Sequence, residues 1–330
     1  MPTEPTPVSA AVEALFAPDA PHGVSLALLA VHRGEVVLER YGTQPDTPFG
    51  PGEAVTADTT LISWSMAKSI THAAVGMAVA DGLLMLDSPA PVAEWRNDER
   101  AAITLQDLLD MKSGLEFVED YVDDSISHCI EMLFGSGADD VAAYAAARPL
   151  LHRPGTVWNY SSGTTNIVSR ILGDALAARD GTDRRTATER FLRERLFEPV
   201  GMTSATARFD AAGTFIGSSF VYATARDFAR FGELYLHDGV VDGRRILPEG
   251  WREHARTWVA DDPDGTFPYG RHWWLRRDPL GVFAAQGYEG QFTVVWPERD
   301  LVVVHLGKSP AERREPLLEH LHTVVTAFAS

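Results

Sequence analysis

Three observations predict an α/β (α+β) fold, in which one antiparallel sheet flanked by helices carries an inserted all-helical domain. The first is an apolar run from Gly23 to Val31, a His32-Arg33-Gly34 turn and an alternating run from Glu35 to Tyr41, the pattern of a β-hairpin. The second is a matching pattern near the other end: Gln291 to Trp296, a Pro297-Glu298-Arg299-Asp300 turn, then Leu301 to Leu306. The third is the long middle stretch, whose apolar residues recur mainly at helical spacing. Strands near both ends with few between imply that residues 8–86 and 204–330 form one discontinuous α/β domain and residues 87–203 the helical insert.

The elements follow in order. After the first hairpin, Thr59 to Ile62 is extended in character. From Ser65 onward Met66, Ile70, Ala73 and Met77 recur at helical spacing, and Gly82 falls where a C-cap would. In the middle, Ile103 to Leu109 opens one helix, Val141 to Ala147 makes a second and Thr164 to Leu176 a third. Thr188 to Phe197 is a fourth, closed by Pro199 and Gly201. Beyond the second hairpin, Leu317, Leu318, Leu321, Val324, Val325 and Phe328 form the apolar stripe of a last helix over Glu312 to Phe328. No internal repeat is evident.

Composition narrows the function classes. The chain has 330 residues, 45% hydrophobic and 23% charged, an ordinary globular balance. A net charge of -17 argues against a general nucleic-acid or anionic-membrane binder. The single cysteine, Cys129, precludes an intrachain disulfide and fits a reducing compartment. It lies in the amphipathic pattern Ser127 to Leu133 and reads as a buried structural thiol. Met1 to Pro7 lacks the basic and apolar regions of a secretory signal, and no apolar stretch is long enough to span a bilayer, so a cytoplasmic location is expected. His320-Leu321-His322 has no partner set matching a zinc site, and Gly76 and Gly82 make no phosphate-binding fingerprint. The expectation is therefore no metal, no cofactor and no nucleic-acid or membrane partner.

Chemistry enters with lysine, which occurs only at Lys68, Lys112 and Lys308; the other 26 of the 29 basic residues are arginine. Lysine can surrender its proton at a reachable pKa and arginine cannot. Lys68 follows Ser65 by three residues, and on a helix the two share a face roughly 5–6 Å apart at Cβ. Ser65 at a helix N-terminus would meet free backbone N–H groups, and a partly buried Lys68 could serve as a neutral base. A capping serine with a solvated lysine explains the spacing equally well. A second segment, Pro154-Gly155 leading to Tyr160-Ser161-Ser162-Gly163, places a phenol before a helix, where a nearby ammonium would lower its pKa. The alternative is an aromatic anchor with Ser162 as N-cap. In a third, Gly287-Tyr288-Glu289-Gly290-Gln291, two glycines bracket a strand start and permit close approach of backbone to ligand, or simply make a turn.

In order and context these segments resemble the serine β-lactamase and penicillin-recognising superfamily, and within it the class C-like branch of esterases, D-aminopeptidases and 6-aminohexanoate-dimer hydrolases. Ser65-Met66-Ala67-Lys68 matches the family's Ser-x-x-Lys, Tyr160-Ser161-Ser162 its Tyr-x-Asn/Ser, and Tyr288-Glu289-Gly290 its third motif. The run from Ile103 to Gly114, Pro154-Gly155, Ala225 to Gly232 and the Gly287 to Val304 ending add context, so the resemblance covers Gly23 to Phe328. It implies a β-lactamase-like fold with the active site between the two domains. It also implies an ester or amide hydrolase working on a small molecule through an acyl-enzyme. Ser65 would be the nucleophile, Lys68 and Tyr160 would share the base work, and the backbone N–H groups of Ser65 and Gln291 would hold the oxyanion. Trp64, Ser162, Tyr288 and Gly290 would contact substrate, with Trp273 and Trp274 as further candidates for an apolar wall. Ser162 and Tyr288 depart from the asparagine and basic residue of β-lactamases, which counts against β-lactam turnover. A β-lactamase, a D-amino-acid peptidase and a non-catalytic binder are the competing readings. The acidic residues Glu116, Glu119, Asp120, Asp123 and Asp124 border the expected mouth and read as a solvated loop.

Overall fold

The computed structural model describes residues 6–48, 50–120, 127–263, 267–277 and 280–329. The chain opens with helix α1 (Pro7–Leu15) and the hairpin β1 (Val24–His32) and β2 (Glu35–Tyr41). Arg33 and Gly34 both hold positive φ, 54° and 76°, the two-residue turn whose twist suits a hairpin. Strand β3 (Leu61–Ile62) leads through a 3-10 turn (Trp64–Met66) into α2 (Ala67–Ala80). Among the described residues the next named elements are helices, with isolated bridges between them: α3 (Leu105–Leu109), α4 (His128–Phe134), α5 (Val141–Ala146), α6 (Ser162–Asp180), α7 (Arg184–Phe191), a π-helical stretch (Leu192–Phe197) and α8 (Glu198–Val200). Then come β4 (Thr206–Ala207), β5 (Val221–Ala223), α9 (Ala225–Leu236), the hairpin β6 (Val240–Val241) and β7 (Arg244–Arg245), and α10 (Trp251–Arg256). Strands β8 (Ala260–Asp261), β9 (Pro268–Tyr269), β10 (Trp274–Leu275), β11 (Phe283–Gly287), β12 (Gln291–Trp296) and β13 (Leu301–Lys308) precede α11 (Arg314–Thr326).

Among the described residues the main sheet has eight strands, in the order β2-β1-β13-β12-β11-β10-β9-β8. Its pairs are antiparallel, and β1 lies against β13 in register from Val24↔Lys308 to His32↔Leu301. The two predicted hairpins are thus four adjacent strands of it, with β2 at one edge. The strands that extend it beyond β11 are two residues each, too short for alternation to show in the sequence. β13 alternates between two cores, Leu301 and Val303 facing α1 and α11, and Val302, Val304 and Leu306 facing the larger cluster that includes α2, α6 and α9. Burial on both faces is why β1 and β13 read as nearly unbroken apolar runs. Cys129 is buried in α4. Among the described residues no helix is long and apolar enough to cross a membrane, and no group of three or more metal-ligating side chains is present.

Candidate active site

Strand β3 delivers the chain to Ser63, whose N–H donates to Val221 O at 2.8 Å and whose Oγ takes the Val221 N–H at 3.1 Å. The next residue, Trp64, turns the chain with φ 42°, a left-handed conformation costly for a bulky side chain, of order 1–3 kcal/mol. Ser65 sits in the resulting 3-10 turn, and α2 starts two residues on, at Ala67. The first N–H groups of such a turn lack intrahelical partners, which leaves the backbone at Ser65 suited to an anion.

Lys68, one helical turn on, is 2% exposed and has its Nζ within hydrogen-bond distance of three oxygens. These are Ser65 Oγ at 3.0 Å, Ser162 Oγ at 2.9 Å and Ser218 O at 3.1 Å. Among the described residues it makes no ion pair. Tyr160 places its ring centroid 4.8 Å from Lys68 Nζ and interacts with both Lys68 and Ser65. Burial raises the phenol above its ordinary pKa; the Lys68 charge opposes that rise and Glu119 adds to it. The lowering expected from a nearby ammonium is therefore outweighed by desolvation, and the phenol is held neutral.

Ser162 is the first residue of α6, and the N-cap is Ser161, whose Oγ accepts from Thr164 N at 2.9 Å. Ser162 is thereby free for another task. It is buried, and its N–H donates to Glu119 Oε2 at 2.7 Å while its Oγ donates to Glu119 Oε1. Glu119 thus ends a relay, Lys68–Ser162–Glu119, and is not the solvated loop residue its surroundings suggest. Glu116 likewise pairs with Arg148 at 3.0 Å, and the Asp120 carbonyl accepts from Ser127 Oγ. Asp123 and Asp124 lie outside the described residues. No local sequence signal marks Glu119, since the contact spans 43 residues.

The third motif closes the site from the end of β11. A Cβ on Gly287 would fall 2.4 Å from Ser63 O and 3.1 Å from Trp64 Cβ, so only glycine lets this strand reach the turn that carries Ser65. Tyr288 stands edge-on to Trp64 with ring centroids 6.0 Å apart. Gly290 has φ 83°, and its carbonyl accepts from His305 Nδ1 at 2.6 Å. Gln291 is 1% exposed, with its side-chain amide donating to Tyr288 O and Gly307 O at 3.0 and 2.8 Å. The cleft is a cavity of about 650 Å³ lined by Ser65, Glu119, Tyr160, Trp274, Gly287, Tyr288 and Arg314 among others, and Gln291 is not part of its wall. A smaller, apolar cavity of about 220 Å³ also has Ser65 in its wall, together with Trp64. Trp273 is fully buried in the core and reaches neither.

The cleft also holds a cation the sequence did not mark. Arg314, at the start of α11, lines it and donates to Gln286 Oε1. Its guanidinium carbon lies 5.6 Å from the Phe267 ring centroid. Arg271 is tied to Asp110 at 2.6 Å and Lys308 is exposed; neither lines the cleft.

The fold, with a serine–lysine pair and a tyrosine brought together at one cleft, is that of the β-lactamase-fold serine hydrolase family. The chain belongs to the Beta-lactamase family, whose profile matches residues 12–324. It is 26% identical to the 6-aminohexanoate-dimer hydrolase of Paenarthrobacter ureafaciens, over 90% of this chain and 74% of that one. Among solved structures it is similar to a candidate 6-aminohexanoate-dimer hydrolase from Bacillus anthracis, with a TM-score of 0.76 and 23% identity over 92% of this chain and 80% of that one. A family VIII carboxylesterase superposes with a TM-score of 0.69 at 16% identity, over 97% of each chain.

Proposed function

We propose that this protein hydrolyses short-chain esters or small amides through an acyl-enzyme on Ser65. The observation that carries the reading is the 3.0 Å bond between Lys68 Nζ and Ser65 Oγ, with Tyr160 beside the same pair. Lys68, as the free amine, takes the serine proton as Ser65 Oγ adds to the carbonyl carbon. The neutral Tyr160 phenol gives its proton to the leaving oxygen or nitrogen, and water repeats the sequence in reverse to free the acid. The Ser65 N–H is one oxyanion donor, worth roughly 3–4 kcal/mol in comparable sites. The second comes from the main chain at the end of β11, because that segment reaches the nucleophile turn and Gln291 lies off the cleft wall.

The cleft sets Arg314 against three carboxylates, Glu119, Asp262 and Glu289, which suits uncharged compounds or short amides with an ammonium at one end, whose other end Arg314 can meet if it is a carboxylate. That composition agrees with the similarity to an amide hydrolase acting on 6-aminohexanoate dimer. The test is reaction with a fluorophosphonate followed by peptide mass spectrometry, together with turnover of p-nitrophenyl butyrate. The label is expected on Ser65 and turnover is expected to persist beyond one equivalent. A label on Ser63, Ser162 or Cys129 removes the assignment, and a single burst without turnover makes the protein a binder.

A further inference from the structure

We infer that the small apolar cavity beside Ser65 receives the substrate's acyl chain and limits its length. The inference rests on the acyl-enzyme reading above and deepens it. Ser65 and Tyr288 line both cavities, so the nucleophile stands where they join. The smaller one is walled by Trp64, Ile130, Leu133 and Phe134, with the buried Cys129 and Ser219 completing it. Phe220 continues the wall, its ring 5.8 Å from Trp64 and 6.0 Å from Phe134. None of the described residues in that wall is charged, and burial pushes the Cys129 thiol upward, which keeps it protonated.

Stereochemistry assigns the two cavities. The carbonyl carbon attacked by Ser65 Oγ carries two groups, the acyl chain and the leaving group. As the Ser65 Oγ–carbon bond forms, the bond to the leaving heteroatom breaks, and that heteroatom takes a proton. Tyr160 is the phenol that supplies it, and Tyr160 lines the large cavity and not the small one. The leaving group therefore departs into the larger cleft, and the acyl chain takes the smaller cavity, between Trp64 and α4. Ile130 and Phe134 are 43% and 63% exposed, large apolar side chains at the rim that a bound chain would cover. A volume of about 220 Å³ holds roughly seven units the size of a water molecule, the room for a chain of about four to six carbons.

The test compares p-nitrophenyl acetate, butyrate, hexanoate and decanoate. With wild-type protein, kcat/KM should rise about fourfold per added methylene up to butyrate or hexanoate, then fall for decanoate. Leu133→Ala, which deepens the cavity, should raise the decanoate-to-butyrate ratio about tenfold. Ile130→Trp, made at a half-exposed rim position where a larger ring fits without repacking the core, should lower the hexanoate-to-acetate ratio about tenfold. Both ratios are independent of the fraction of active enzyme. If hydrolysis depends on Ser65 but both ratios stay within about twofold of wild type, the acyl-site inference is wrong and the acyl-enzyme reading stands. If no ester is turned over, or Ser65→Ala leaves turnover intact, the acyl-enzyme reading fails and takes this inference with it.

Discussion

The Trp64 indole N–H donates to Glu289 Oε2 at 3.0 Å, joining the residue before Ser65 to the turn after β11. Both residues hold left-handed backbone, with φ of 42° and 59°. Two strained positions that bind each other form a brace holding Ser65 at the mouth of the cleft. Glu289→Ala removes a hydrogen bond to a charged acceptor, and kcat should fall roughly tenfold, the scale of 1.5 kcal/mol. Glu289→Gln keeps an acceptor for the indole and should recover most of that loss. Equal kcat for Glu289→Ala and wild type would show that the turn is held by other contacts.

Lys68 and Tyr160 are predicted to be separable by chemistry. Lys68→Arg should be nearly as inactive as Lys68→Ala, because guanidinium keeps its proton and is too large for a site with three close oxygens. Tyr160→Phe should lower kcat about 10²-fold or more. Steady-state kinetics on one p-nitrophenyl ester decides both; Lys68→Arg above a tenth of wild-type activity removes the base role.

Glu119 is predicted to position the lysine through Ser162. Glu119→Ala leaves the Ser162 N–H and hydroxyl without their acceptor and should lower kcat about tenfold or more with a smaller change in KM. Ser162→Ala should act in the same direction, and the double variant should be less damaging than the product of the singles, since one relay is cut twice. Strictly multiplicative losses would mean that the two residues act independently.

Behind α2 lies a cluster that should make the fold sensitive to acid. His72 Nδ1 lies 2.8 Å from Tyr235 Oη and its Nε2 3.0 Å from His254 Nδ1, while His272 Nδ1 meets Lys68 O at 3.1 Å. Burial is the largest cause holding all three histidines low, His254 and His272 at about 3, with Arg271 also disfavouring charge on His72 and His254. An unfolded histidine titrates near 6.5, so below that pH the unfolded chain binds more protons than the folded one. Stability is complete above about pH 6.5 and falls as pH drops toward 3, by up to roughly 1.4 kcal/mol per unit for each histidine. Urea unfolding between pH 8 and 4 should show that slope, and His254→Gln should flatten it. A midpoint unchanged from pH 7 to 4.5 would contradict the burial of neutral imidazoles.

The parts of this architecture that were legible are those written in local patterns. The turn at Arg33 and Gly34, the apolar stripes of α2 and α11, and the Ser65–Lys68 spacing each lie within a window of a few residues. Strands β8, β9 and β10 left no such trace, because two residues carry no alternation. Ser161 and Ser162 are both plausible caps by composition, and only backbone geometry shows which hydroxyl is spent on Thr164 and which reaches Lys68. Glu119 and Arg314 were invisible as site residues for another reason. Each is placed by tertiary contacts, to Ser162 and Gln286, with nothing in its own neighbours to distinguish it from a surface charge.

The pairing of β1 with β13 sets a schedule for the growing chain. Ser25 and His305, hydrogen-bonded through Oγ and Nε2 at 2.8 Å, are separated by 280 residues. At roughly 5–20 residues per second, a ribosome needs on the order of tens of seconds to cover that distance. Throughout that interval β1, apolar on both faces, has only β2 beside it, and its other edge is open to pairing with foreign strands. Ser65 and Lys68 are made early, yet the strand end at Gly287 that reaches the turn carrying Ser65 is synthesised only late in this sequence. A nascent chain halted before β12 would expose a sticky, incomplete sheet and a serine with nothing opposite it, the kind of species that holdase chaperones retain.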